Sequence, residues 1–415
     1  MDVFSVDDIW AESQGEGVTV AVVDSGVDAS HPDLTGQVFE GKDFTGGDNA
    51  QKDIQGHGTG MASLIAGHGH GAGNESGVKG LAPKAKILPL RTLQTTADRN
   101  ADETWGAAVR YAVDHGAGVI NLSFANDGGH TLSDGRQAIA YAQAHDVVVV
   151  AGAGNEGSIA VSEPAALPGV VAVGAVDKNA NRWEGSNMGK GLTLMAPGVD
   201  IVAANPKRSP QYGLSDGTSD STAYVSAAAA LVRARYPDLT AGQVVNRLIK
   251  SASFLHHKGL KAPDEEYGYG IVRPYSALTM NIPKGSEGNP LGQIKLAENT
   301  SASNSNVAGQ SEKTKGSRSM GAIVLLVGVV GLLAVVAAVA VFAVTRSRRN
   351  PANGATGSGS YPQAGYMPQQ PLPPTAAPPP YTTPPLGQGY GYAAPPVQPP
   401  QYPNPYSEQP PYQGQ

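Results

Sequence analysis

From Val18 to about Leu278, short apolar runs rich in β-branched residues alternate with longer stretches whose apolar residues recur three and four apart. The first pattern marks strands buried on both faces and the second marks helices, so together they predict βα units around a mostly parallel sheet. Expected strands are Thr19 to Val23, Ala85 to Leu90, Val119 to Phe124, Val147 to Ala151 and Val170 to Val176; expected helices are Trp105 to His115 and Ser133 to His145. The fold class is therefore α/β, a three-layer sandwich with helices covering both faces of the sheet.

The pattern changes after residue 280. Residues 281–319 lose the periodicity and fill with Ser, Asn, Gly, Lys and Glu, a composition that buries too little apolar surface to offset its ordering entropy and reads as a flexible linker. Gly321 to Val344 carries no charged residue. As a helix it would run roughly 36 Å, enough to cross a hydrocarbon core of about 30 Å, so residues 320–345 are expected to form one transmembrane helix. Residues 346–415 are dominated by Pro, Tyr, Gln and Gly and read as a disordered tail with polyproline II character, either a ligand for a proline-recognising partner or a solvated spacer. This leaves residues 1–280 as the globular domain.

Lys313, Lys315 and Arg318 precede the expected span, and Arg346, Arg348 and Arg349 follow it. The arginines lie closer to the span, which favours a cytoplasmic tail and an extracellular globular domain on a single-pass membrane protein. Met1 leads straight to Asp2, Asp7 and Asp8 without a basic or apolar leader, so that orientation expects a start further upstream.

Composition narrows the chemistry. Across 415 residues the formal charge is -6, without the basic excess of a nucleic-acid partner. The chain has no cysteine, hence no disulfide, thiol nucleophile or cysteine metal site. His68 and His70 sit in a glycine-rich loop without cysteine or carboxylate support, and the stretch Asp43 to Asp53 reads as a solvated turn rather than a calcium loop. No metal or cofactor is expected.

Four segments carry candidate chemistry. The strand Val20-Ala21-Val22-Val23 ends on Asp24, where ligands gather in open α/β sheets, although an acid there also serves as a turn former. His57 lies among glycines ahead of an apolar helical stretch, accessible as a general base. Ser219 heads a charge-poor stretch through Val232, where it is either a helix cap or a nucleophile at the positive end of a helix dipole. Val147 to Val150 empties into Ala151-Gly152-Ala153-Gly154-Asn155; the Asn155 amide either shapes the turn or donates to an oxyanion.

The order Asp, His, Ser is that of subtilisin, not of chymotrypsin or the α/β-hydrolases. These segments resemble the subtilase family over roughly residues 5–280, as do Gly80-Leu81-Ala82-Pro83, Val119 to Phe124 and Tyr267-Gly268-Tyr269-Gly270-Ile271-Val272. The resemblance implies a serine endopeptidase acting on protein or peptide substrates. Ser219 would be its nucleophile, His57 its general base and Asp24 the group orienting the imidazole. Asn155 and the Ser219 backbone N–H would form the oxyanion hole, with Ser123, Phe124 and Ala125 facing Gly152, Ala153 and Gly154 across the substrate. A subtilase domain followed by a linker, one span and a tail is similar to the mycosins, actinobacterial proteases associated with type VII secretion, and implies that machinery as a partner. A second reading is a structural scaffold subunit of a secretion complex with a dispensable active site. Two departures stand out: Asp220-Ser221-Thr222-Ala223 replaces the common Met-Ala-x-Pro after the nucleophile, and Gly60 stands where many subtilases carry another His.

Overall fold

The computed structural model describes residues 4–93, 102–125, 133–255 and 257–295. In chain order the elements are α1 (Val6–Glu12), β1 (Thr19–Asp24), β2 (Lys42–Asp43), α2 (His57–Ala66), β3 (His68–His70), β4 (Ser76–Lys79), β5 (Lys86–Arg91), α3 (Asp102–Asp114) and β6 (Val119–Leu122). There follow α4 (Ser133–Ala144), β7 (Val148–Gly152), β8 (Val171–Val176), β9 (Leu194–Pro197), β10 (Ile201–Ala204), β11 (Tyr212–Ser215), α5 (Thr218–Arg235), α6 (Ala241–Ser251) and α7 (Pro274–Thr279). All five expected strands form, with ends displaced by one or two residues, and so do both expected helices.

Seven strands make one sheet in the order β2-β5-β1-β6-β7-β8-β9, with every pairing parallel. Alternate side chains of β1 enter opposite layers, as the strand period of two demands. Val20 and Val22 pack with Leu64 and Ile65 of α2 and with the buried face of α5; Ala21 and Val23 pack with Trp105 and Ala108 of α3 and Ile139 of α4. The expected α/β sandwich with a mostly parallel sheet is thus present. The chain starts the sheet at β1, places β5 on one side of it and then β6 on the other, which opens a crevice at the carboxyl end of β1.

Helix α5 explains why its own pattern was faint in the sequence. Ala227, Ala228, Ala229 and Ala230 are all fully buried, as are Ser221, Thr222 and Ser226, so the helix is covered around its circumference and has no exposed polar face to give a period. Their small side chains let it lie against the sheet. Asn121 on β6 ties the two together, accepting from Ser226 Oγ at 2.9 Å and donating to Ser123 Oγ at 2.9 Å. Helix α6, not expected from the sequence, starts on a capping box formed by Thr240 and Gln243. The β10–β11 hairpin was also not foreseen; it is antiparallel and lies outside the main sheet.

The chain stays on the domain past residue 280. Gly169 N–H donates to Leu291 O at 3.1 Å, Asn289 Nδ2 donates to Gly169 O at 2.8 Å, and Ile294 N–H donates to Gln143 Oε1 at 3.0 Å. Residues 281–295, part of the stretch expected as linker, therefore run over the domain in irregular backbone; residues 296–319, the expected span and the tail lie outside the described residues. Among the described residues, no helix is long and apolar enough to cross a membrane.

The close seat of α5 carries a stability prediction. Ala228→Leu is expected to lower the unfolding free energy by about 1–3 kcal/mol through overpacking. Urea denaturation reads this as a lower midpoint; an unchanged midpoint would mean slack between α5 and the sheet.

Candidate active site

Asp24, the last residue of β1, is 2 % exposed. A buried carboxylate must find donors, and two converge here. Ser25 N–H donates to Oδ1 at 2.7 Å, and His57 Nδ1 lies 2.9 Å from both carboxylate oxygens. Since the carboxylate only accepts, Nδ1 carries the proton and Nε2 is left as the basic nitrogen of the neutral ring.

His57 is held as the first residue of α2 by a second buried acid. Asp53 accepts from Ser25 Oγ (2.8 Å), Gly56 N–H (2.8 Å), Thr59 N–H (2.8 Å) and Thr59 Oγ1 (2.6 Å). It satisfies the free N–H groups of the helix start. Gly58 brings this turn close to β1: a Cβ there would lie 2.1 Å from Gly26 O and 3.1 Å from Asp24 Cβ.

Ser219 follows Thr218 in the first turn of α5. Its hydroxyl donates to Ser123 O at 3.0 Å, while Ser123 Oγ donates to Ser219 O at 3.0 Å. The nucleophile candidate is thereby parked against the end of β6 rather than bonded to the imidazole, an arrangement common where the productive hydrogen bond forms only with substrate.

Asn155 stands in the loop after β7. Its Oδ1 accepts from Thr218 N–H and Thr218 Oγ1, both at 2.9 Å. A backbone N–H can only donate, which fixes the amide oxygen toward Thr218 and turns the NH2 group the other way. The Asn155 amide and the Ser219 N–H lie close to one another: a Cβ on Gly217 would lie 3.7 Å from Ser219 N, 3.8 Å from Asn155 Nδ2 and 3.9 Å from Asn155 Oδ1. Two donors near one point, at the start of a buried helix, suit a developing oxyanion.

The six expected substrate-binding residues end the neighbouring strands. Ser123 is 4 % exposed, and Phe124 packs against Trp105 with ring centroids 5.9 Å apart; Ala125 is half-buried. On the other side Gly152 is the last residue of β7. Ala153 N–H donates to Val173 O at 2.8 Å, and Gly154, at φ +112°, accepts from Asn187 N–H at 3.0 Å. The hydroxyl of Thr218 meets this strand end as well, accepting from Gly154 N–H at 3.4 Å.

Of the acids and histidines weighed as metal ligands, Asp43 and His68 bond to protein groups, and His70, expected to lack carboxylate support, has Asp33 beside it. Asp43 accepts from Thr45 N–H (2.8 Å) and pairs with Arg91 (3.0 Å); His70 Nδ1 lies 2.6 Å from Asp33, and His68 bonds to Thr35 O and Gly69 O.

Sequence reasoning missed four residues of the site. Asp53 was hidden in an acidic stretch read as a solvated turn, yet it is 3 % exposed. Its signal was its place four residues before His57, at a helix start. Ser25 and Thr218 carried no signal beyond adjacency to Asp24 and Ser219. Asp220 was noticed only as a departure from a motif; it is 1 % exposed and accepts from Ser215 Oγ at 3.1 and 3.2 Å.

The subtilase family model matches residues 15–270, and the chain belongs to that family. It is a subtilisin-class serine endopeptidase, acting on protein or peptide substrates. Subtilisin DY of Bacillus licheniformis is 38% identical over 259 residues, spanning 60% of this chain and 89% of that protein. Among solved structures the chain is similar to MycP1 from Mycobacterium smegmatis, with a TM-score of 0.60 and 28% identity over 71% of this chain and 88% of that one. It is also similar to the MycP3 protease from the type VII (ESX-3) secretion system, with a TM-score of 0.57 and 31% identity over 67% of this chain and 87% of that one.

Burial depresses the basicity of His57, but the charges of Asp24, Asp220 and Asp53 and the Asp24 hydrogen bond outweigh it and push the pKa up to about 9. Its side chain is 36% exposed, so solvent screens part of both effects. As the candidate general base His57 must be unprotonated to accept a proton, so its negative neighbours are expected to move the onset of activity to higher pH. The log of kcat/KM is expected to rise with pH and level off with a midpoint above 6.5, toward about 9. A pH profile with a non-ionising peptide substrate checks this; a midpoint at or below 6.5 would contradict it.

Proposed function

We propose that the endopeptidase works through Ser219, His57, Asp24 and Asn155. Ser219 Oγ attacks the peptide carbonyl and gives its proton to His57 Nε2; Asn155 Nδ2 and the Ser219 N–H hold the oxyanion. The C–N bond breaks as His57 returns the proton to the leaving amine, and water then cleaves the acyl-enzyme by the same route. Substrate lies between Ser123 to Ala125 and Gly152 to Gly154 as an added strand. The observation that carries this reading is the paired approach of His57 Nδ1 to both oxygens of Asp24 at 2.9 Å. A fluorophosphonate probe is expected to label the full chain and to leave Ser219→Ala unlabelled. Equal labelling of the two would overturn the assignment.

The same reading extends to the cell. The uncharged run from Gly321 to Val344 would anchor the protease in the membrane, after a linker and before a proline-rich tail. Likeness to the MycP1 and MycP3 proteases supports an association with type VII secretion machinery. The catalytic domain faces outward and the tail lies in the cytoplasm. Protease shaving of intact cells should remove the domain and spare a tag at Gln415; loss of the tag with retention of the domain would reverse the orientation.

A further inference from the structure

The mechanism uses one carboxylate, Asp24, yet a second is buried next to the nucleophile. Asp220 is 1 % exposed and sits in the first turn of α5, one residue after Ser219. Its side-chain partner is Ser215 Oγ, at 3.1 and 3.2 Å. Ser215 closes β11 and lines a cavity of about 180 Å³ that His57, Gly60 and Arg208 also line. A buried acid met by one hydroxyl and one backbone N–H is still costly to keep charged. A helix start alone does not call for it, because Asn or Ser would serve there without burying a charge.

The position becomes intelligible from the imidazole. The charges acting on His57 come from three elements: Asp24 at the end of β1, Asp53 ahead of α2 and Asp220 on α5. On the hairpin side the cavity wall adds Arg208. Asp220 in turn is surrounded by His57, Ser215, Asp216 and Tyr224.

We propose that Asp220 is a positioning residue for the general base: a second buried carboxylate that acts with Asp24 to stabilise the imidazolium form of His57. This rests on the roles given above to His57 and Ser219. Burial pushes the Asp220 pKa up to about 6, against the lowering pull of His57 and of the Ser215 hydrogen bond. Above that pH the carboxylate is charged and its field is switched on.

The consequence for catalysis has a definite form. When the free enzyme already holds the imidazolium, ground state and transition state both carry the charge, and Asp220 favours neither. Once the pH is high enough to free the base, only the transition state carries the imidazolium, and Asp220 favours it selectively. Removing the charge should therefore leave kcat/KM unaltered on the rising limb and lower the alkaline plateau. The limb's midpoint and the plateau must fall by matched amounts, since both report one interaction.

The test is the pH profile of kcat/KM for the full chain between pH 6.5 and 10.5, in wild type, Asp220→Asn and Asp220→Glu. Asn keeps the shape and the Ser215 partner without the charge. Expected for Asp220→Asn is a downward shift of the midpoint by about half to one pH unit and a plateau lower by about threefold to tenfold, with the curves meeting near pH 6.5. Asp220→Glu, which keeps the charge, should restore the midpoint. A parallel loss at every pH, or no shift, would overturn the proposal and leave Asp220 a structural residue. Should Asp220→Asn not fold, Asp220→Ser serves instead, since it keeps a polar residue in the first turn of α5 without the charge. It should lower the midpoint and the alkaline plateau by matched amounts; an unchanged midpoint would overturn the proposal. Ser219→Ala is run alongside: retained activity there would defeat the assignment of the nucleophile, whatever Asp220 does.

Discussion

The burial of the Asp24 carboxylate at the carboxyl end of β1 is the constraint from which the site is organised. A charge-bearing group that is 2 % exposed must be met by donors, and the donors come from outside its own strand. His57 arrives because Asp53 holds the start of α2 and because Gly58 has no side chain to keep the turn away from Gly26. Ser25 completes the frame by donating its N–H to Asp24 and its hydroxyl to Asp53. Two buried carboxylates are thus linked through one serine: Asp24 holds the imidazole and Asp53 holds the turn that carries it.

The second half of the site depends on α5. Its alanine-rich middle lets it lie on the sheet, and that seating puts Ser219 opposite Ser123 at the end of β6 and Thr218 against Asn155 at the end of β7. The proposed nucleophile and oxyanion donors are therefore set by the same packing that makes the core. With Asp220 in the same turn, the helix also brings a charge to bear on the imidazole. Packing, hydrogen bonding and electrostatics meet within three consecutive residues.

Much of this was legible in the sequence because the strand signals are strong: β1, β5, β6, β7 and β8 are predominantly apolar, Asp24 ends the first of them and Asn155 follows β7 by three residues. Three features were not legible. The β10–β11 hairpin has only a four-residue apolar run in β10 (Ile201–Ala204), and β11 (Tyr212–Ser215) offers no apolar run to pair with it. Asp53 and Asp220 look like surface acids, because burial of a charge depends on tertiary partners that no local pattern encodes. The path of residues 281–295 over the domain rests on scattered anchors, Leu291, Asn289 and Ile294, amid a polar composition.

The central claim is that Asp24, His57 and Ser219 act as one unit. The most direct measurement is kcat for Ser219→Ala, His57→Ala and the double variant on one peptide substrate. The account predicts that the double variant is no slower than the worse single one, the non-additive pattern already known for subtilisin itself. Losses that multiply would mean that the two residues act independently, and would contradict it.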